Sequence, residues 1–330
     1  MHILVTGGTG YTGSHSVLEL LQSNHTVTVI GNLANSNSDY KGQPISLKRI
    51  ELMTGKKISF KKVDLLKILE LEEVFKAEKF DAVMHFASLK GIGESCREPL
   101  KFYYSNIVEH SLKEESAIGT AITNPYGESK YMIEKVLRDL AESDKEWNII
   151  CLRYSCIIGA HPSGIIGEDT KGIPNNLIPY ICNVINGKLP FLTIFGDTFN
   201  TPDGTCVRDY IHVVDAARGN LAALNRIIKE KNIDFEVYNI GMGKGHSVLE
   251  IIKAMENAAG QKIPTKIMPK RPGDVACFSC DPTKAEKFLQ WKAHFTVDEM
   301  CRDVWKWQKK NPNGYTDNQN HDSLKMDNRV

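Results

Sequence analysis

Apolar and polar positions along the first half of the chain follow two periods in alternation. Short apolar or β-branched runs at His2–Val5, Thr26–Ile30 (TVTVI), Ile58–Val63 and Asp81–Ala87 (DAVMHFA) predict strands. Between them, Tyr11–Gln22, Ser46–Met53 and Leu66–Ala77 read as helices. Strand and helix alternating at this spacing predict an α/β fold built on a doubly wound parallel sheet. A further helix over Pro125–Leu140 has Asn124 as its cap and proline at its first position. An apolar strand at Asn148–Leu152 follows it.

From about Gly159 the texture changes. Glycine, proline and asparagine cluster in GAHPSGIIGEDTKGIPNN, and helices and short strands then alternate less regularly as far as Trp307. The expected organisation is a first domain over 1–158 and a smaller C-terminal α/β substrate lobe over 159–310, mixed with returns to the first domain. Asn311–Val330 is polar with almost nothing apolar to bury, which predicts a disordered tail. No internal repeat is visible.

Composition mainly excludes. The 330 residues are enough to bury a core as one large domain or two lobes. A formal net charge of +1 provides no field to gather nucleic acid or an anionic membrane, so neither partner is expected. No apolar run approaches membrane-spanning length. The opening MHILVTGG has no charged region before its apolar run, so no signal peptide is expected. The eight cysteines are scattered singly, apart from Cys277 and Cys280. A lone C-x-x-C points to packing rather than zinc, and no metal is expected. The pattern suits a reducing, cytoplasmic setting.

Two motifs carry chemistry. TGGTGYTG, residues 6–13, follows the first strand and opens the first helix, with Gly7, Gly10 and Gly13 in a G-x-x-G-x-x-G spacing. Missing side chains allow a tight turn and bring backbone N–H groups to a pyrophosphate at the helix N-terminus. In TNPYGESK, residues 123–130, Tyr126 stands four residues before Lys130. That spacing alone fits a solvated helix face as well as a catalytic couple.

The glycine loop together with Tyr126 and Lys130 resembles the extended short-chain dehydrogenase/reductase superfamily. Four further stretches, HFASLKGIGES (85–95), RYSCIIGAHPSGIIGEDTKGIPNNLIPY (153–180), DGTCVRDYIHVVD (203–215) and KRPGDVACF (270–278), are similar to the UDP-glucose 4-epimerase family. The resemblance covers nearly the whole chain, to about Asn313. It implies a Rossmann-type fold, NAD as cofactor and a homodimer. It also implies interconversion of UDP-glucose and UDP-galactose, with hydride leaving C4 for NAD and returning to the other face of a 4-keto sugar. Tyr126 would be the base for the 4-hydroxyl. A free tyrosine titrates near pH 10, so the charge of Lys130, one helical turn away, would stabilise its phenolate.

The resemblance further implies cofactor contacts at Tyr11 and Thr12 of the loop, at Asn32, Asn35 and Ser36 after the second strand, and at Asp64 and Leu65. It adds Phe86, Ala87, Ser88, Lys90 and Asn106. For the UDP-sugar it implies Asn176, Phe195 against uracil, Arg208, Arg271 and Asp274. Two arginines suit a diphosphate through bidentate hydrogen bonds. Phe278 matches the position that gates the sugar's 2-substituent, so its bulk favours UDP-glucose and UDP-galactose over N-acetyl sugars.

Three positions depart from the family pattern. Gly31 stands where an acidic residue would bind the adenosine ribose. Ser155-Cys156-Ile157 replaces Phe-Asn-Pro after Tyr154. Between Asn106 and Tyr126, IVEHSLKEESAIGTAITNP lacks roughly thirty residues, enough for one strand and its connections. In the family that interval carries a central strand and a serine-rich run that relays the 4-hydroxyl proton. AIGTAIT (117–123) is the residual β-branched stretch, with Thr120 and Thr123 as its hydroxyls. Losing the strand removes on the order of 8–15 kcal/mol of apolar burial. The alternative to a working epimerase is therefore an impaired or inactive relative that still binds UDP-sugar or NAD.

Overall fold

The computed structural model describes residues 1–34, 36–39, 42–88, 125–170, 172–230, 232–271 and 274–316. By contacts the chain divides into two compact units. One comprises Met1–Ala87, Gly159–Pro174 and Arg302 onward, the other Ser88–Ile158 and Asn175–Cys301. One break in this division falls between Ile158 and Gly159, and others follow residues 87, 174 and 301.

The first unit opens with β1 (His2–Thr6), α1 (Tyr11–Gln22), β2 (Thr26–Gly31), α2 (Ile45–Thr54), β3 (Ser59–Lys62), α3 (Ile68–Ala77) and β4 (Ala82–His85). The strands pair in parallel in the order β3-β2-β1-β4, with Ile3 opposite Val27 on one side and Ala82 on the other. Ile3, Leu4 and Val5 are buried on both faces, as expected of a central parallel strand. Val17, Leu18, Leu20 and Leu21 form the buried face of α1, which gives that helix its apolar period. Strand and helix order follow the sequence expectation, with ends shifted by up to two residues.

Residues 311–316 correct the tail expectation. Arg49 of α2 is buried, donates to Ile165 O at 2.9 Å and Asn311 Oδ1 at 2.7 Å, and lies 4.8 Å from the Tyr315 ring centroid. Asn311 Nδ2 donates to Gly164 O and Trp307 O, and Tyr315 packs with Trp307, Ala160 and Ile45. A polar stretch becomes ordered here because a buried guanidinium requires acceptors and an aromatic face. Residues 317–330 lie outside the described residues.

The second unit begins with α4 (Pro125–Ser143), β5 (Ile149–Tyr154) and β6 (Cys156–Ile158). It continues through α5 (Leu177–Ile185), β7 (Leu192–Phe195), β8 (Val207–His212), α6 (Val213–Lys229), β9 (Phe235–Ile240) and β10 (Gly245–Ser247). Then come α7 (Val248–Ala259), β11 (Thr265–Met268), β12 (Cys277–Phe278), α8 (Thr283–Phe288) and α9 (Val297–Lys310), which ends in the first unit. β5 and β9 pair in parallel over six residues. β8 receives β10 antiparallel and β12 and β6 in parallel, and β11 pairs with β7. Tyr238, Ile240, Ile211, Ala216, Leu289 and Trp291 form a core on which Ile150 and Leu152 pack. A full capping box, Ser247 with Glu250, starts α7, and Gly260 closes it in the left-handed region.

Among the described residues, β4 and β5 each have one strand neighbour. Val83 in β4 is 51% exposed, and no residue of β5 is fully buried. Among the described residues, β4 thus ends the sheet β3-β2-β1-β4 of the first unit, and β5 pairs only with β9 in the second.

Candidate active site

In the first unit the chain leaves β1 and enters α1 through a turn that only glycine can make. Gly7 has φ of +66°, and a Cβ there would lie 2.8 Å from the Ala87 backbone nitrogen. A Cβ on Gly13 would lie 2.4 Å from Gly7 O. Gly10 is the N-cap of α1, supplies no side-chain cap, and no acidic residue occupies the first turn. The orphan N–H groups of that turn and the helix dipole therefore suit an anion. The cradle fits the pyrophosphate of NAD, and a larger residue at Gly7 or Gly13 would fill it.

The neighbouring cofactor candidates surround the ends of β2, β3 and β4. Thr9 Oγ1 and Ser36 Oγ are 2.7 Å apart. Asn32 accepts from Ala34 N at 3.0 Å and donates to Asp64 Oδ2 at 3.2 Å. The Leu66 N–H, 3.1 Å from Asp64 Oδ1, and then the Asn32 amide hold the Asp64 carboxyl below its ordinary range. Leu65 packs against Leu4, Ile30 and Val63. Phe86 and Ala87 continue from β4, tied to Thr6 by Phe86 N to Thr6 O at 3.0 Å and Ala87 N to Thr6 Oγ1 at 3.4 Å. Ser88 follows, exposed.

Thr12 sits in the first turn of α1, where its carbonyl accepts from Ser16 Oγ. The Tyr11 hydroxyl donates to Gly159 O at 2.6 Å, and burial pushes that phenol well above its usual value. The Tyr11 side chain is thus engaged with residue 159, which leaves its backbone for the expected cofactor contact. Asn35, Lys90, Asn106, Thr120 and Thr123 lie outside the described residues.

In the second unit Tyr126 and Lys130 lie in the first two turns of α4, both half-buried. Gly127 and Ser129 between them are buried, and Ser129 Oγ donates to Tyr126 O at 2.8 Å. The small residues let this end of the helix pack closely, with Tyr126 and Lys130 four apart on one face.

Five of the proposed substrate residues are brought together. Arg271 donates to Asp274 through Nε at 2.8 Å and Nη2 at 3.1 Å, and Arg208 Nη2 lies 3.8 Å from the same carboxylate. The Arg271 guanidinium stands 4.7 Å from the Phe195 ring centroid. Phe278 is the register partner of Arg208 across β12 and β8. Two guanidiniums, one carboxylate and an exposed aromatic ring make a site for a planar group joined to a polyanion. Asn176 is at the N-cap of α5, where its side chain makes no cap bond.

Sequence reasoning missed two groups. Asp209 is buried and accepts from Met242 N at 3.0 Å, Gly243 N at 2.9 Å and Cys280 N at 3.3 Å. Strand alternation was the available signal, since Arg208 and Asp209 must face opposite ways. The other is the Glu134–Arg153 pair between α4 and β5, signalled by an arginine in the apolar strand IICLRY.

The departures also have places. A Cβ on Gly31 would meet only Thr9 Oγ1, at 3.9 Å. Ser155 is buried, with Oγ 3.3 Å from Cys280 Sγ, whose thiol burial pushes up to about 12. Cys156 is exposed on β6, and so is Cys277 on β12. Among the described residues no group of histidine, cysteine or carboxylate side chains is arranged for a metal.

Comparison with known proteins places the chain in a family. The NAD dependent epimerase/dehydratase family model matches residues 3–112 and 107–241. The UDP-glucose 4-epimerase of Caenorhabditis elegans is 47% identical, over 96% of this chain and 100% of the relative. That of Dictyostelium discoideum is 45% identical, over 96% and 98%. The crystal structure of the Bifidobacterium longum UDP-glucose 4-epimerase in complex with NAD+ and UDP superposes with a TM-score of 0.88. It is 40% identical and covers 96% of this chain and all of that one.

The C. elegans alignment spans 348 positions, yet 96% of 330 residues is only about 317. About 31 positions of the relative thus have no counterpart here, and the family match breaks at 107–112, where the interval before Tyr126 begins. The chain belongs to the NAD dependent epimerase/dehydratase family, among its UDP-glucose 4-epimerases.

Proposed function

We propose that this chain interconverts UDP-glucose and UDP-galactose, with the residue roles that follow. The observation that carries those roles is the convergence of Arg208 and Arg271 on Asp274 beside Phe195, in the same unit as the Tyr126–Lys130 helix.

Epimerisation at C4 requires both faces of one carbon to be presented in turn. A protein achieves this by gripping the nucleotide and leaving the hexose free to rotate. Arg208 and Arg271 hold the diphosphate, Phe195 stacks on the uracil, and Asn176 and Asp274 complete the grip. Phe278, beside Arg208, limits the space for a 2-substituent. Tyr126 takes the proton of the 4-hydroxyl and returns it. The Lys130 ammonium, one turn away, favours the phenolate that does so.

NAD supplies the two-electron oxidation and reduction at C4 when bound. Its pyrophosphate would sit on the Gly7–Gly13 loop and the first turn of α1, and its adenosine end by Asn32, Asn35, Ser36, Asp64 and Leu65. Phe86, Ala87, Ser88, Lys90 and Asn106 would line the remainder. Cytoplasmic location and a homodimer belong to the same proposal. No helix among the described residues is long and apolar enough to cross a membrane, and the described cysteines are free thiols. Conversion of UDP-galactose into UDP-glucose by the purified protein with NAD tests the function, and Tyr126→Phe should abolish it.

A further inference from the structure

Tyr126, Lys130, Glu134 and Arg138 follow one another at four-residue intervals and form a row along α4. Glu134 receives two parallel hydrogen bonds from Arg153 on β5, Nε to Oε2 at 3.0 Å and Nη2 to Oε1 at 2.6 Å. Both side chains are only 8% exposed. Arg138 lies 3.8 Å from the same carboxylate, half in solvent, and its guanidinium stands 4.7 Å from the Phe235 ring centroid on β9. The other ionisable group of β5 facing this row is Cys151. Its thiol is pushed up to about 12, by burial first and then by the Glu134 charge, and stays neutral at ordinary pH. Lys130 is close enough to act on that thiol too. On β9, Glu236 alternates to the opposite face, where it pairs with Arg226 at 2.7 Å.

A buried carboxylate one turn beyond Lys130 competes with Tyr126 for the same ammonium. Water is too scarce there to screen it, so the competition is settled by whatever else neutralises the carboxylate. Arg153 does this from the sheet side, with a geometry that occupies both oxygens. We propose that Arg153 is a positioning residue that commits the Glu134 carboxylate to β5, so that Lys130 serves the Tyr126 phenolate. The inference rests on the reading of Tyr126 as the assisted base. It gives the pair a role beyond fastening α4, because a fastening alone would leave the ionisation of Tyr126 untouched.

The test reads tyrosinate directly, without turnover. Ultraviolet difference titration of the full chain against its Tyr126→Phe counterpart isolates the Tyr126 phenolate in each background. In Arg153→Met the midpoint should rise by about one pH unit or more, as Lys130 turns to Glu134. In Arg153→Met/Glu134→Leu the competing carboxylate is also gone, and the midpoint should return to the wild-type value. Replacing a buried pair by apolar residues of similar size is often neutral, so the double variant is expected to fold. If Arg153→Met alone does not fold, Glu134→Gln serves in its place, and a midpoint raised above wild type there would overturn the proposal. An unshifted midpoint in folded Arg153→Met, or a shift that persists in the double variant, would also overturn it. A wild-type midpoint at the free tyrosine value of about 10 would overturn the assisted base itself, and this role with it.

Discussion

Position 31 has room for a side chain and lacks one. Its ideal Cβ meets nothing closer than Thr9 Oγ1 at 3.9 Å, and the backbone is that of an ordinary strand end. Gly31→Asp is therefore expected to fold unchanged and to place a carboxylate at the adenosine end of the cofactor. A charge-assisted hydrogen bond is worth roughly 1.5–3 kcal/mol, so NAD should bind at least about tenfold more tightly. Isothermal calorimetry reads this directly, and an unchanged dissociation constant would mean that the ribose is held elsewhere. Phe278 permits a second comparison at this scale. It is the register partner of Arg208 across β12 and β8, which adds bulk beside the proposed diphosphate grip. UDP-glucose should bind at least about tenfold better than its N-acetyl counterpart, about 1.4 kcal/mol, and equal affinities would remove Phe278 as the gate.

Between elements, the parallel strands were the most legible part of the sequence. β1 is an apolar run and β2 a β-branched one, both buried through their middles, and that pattern needs no tertiary information. β6 was not legible, since the three residues after Ser155 are too few to show a period. The packing of 311–316 was hidden as well, because its polar letters conceal the needs of a buried arginine 262 residues away. Tyr315→Ala should accordingly cost about 2–4 kcal/mol in denaturant unfolding, from lost aromatic packing and the lost face for Arg49. A loss under about 0.5 kcal/mol would mean that the segment is not docked in solution. The gap before Tyr126 was legible only against a family pattern, and among the described residues β4 and β5 each have a single strand neighbour. Splicing a relative's strand and serine run between Glu115 and Asn124 should cover Val83, raise the melting temperature and speed turnover. A spliced chain no more stable and no faster would show that the edges are already satisfied.

Across the whole molecule, the residues proposed for the nucleotide grip, the base and the cofactor loop each come together locally, while the family's relay position falls in the shortened interval. Losing one general acid–base element typically costs 10²–10⁴-fold, and looser positioning of about 1 Å adds a further hundredfold. The chain is therefore expected to be an epimerase slowed at least a thousandfold relative to an intact family member. The decisive measurement follows UDP-galactose conversion by folded, NAD-supplied protein, beside the Tyr126→Phe variant and an intact relative. Slow conversion to the UDP-glucose equilibrium mixture, abolished by Tyr126→Phe, is the expected result. No conversion by folded protein that binds NAD, or conversion that survives Tyr126→Phe, would contradict it.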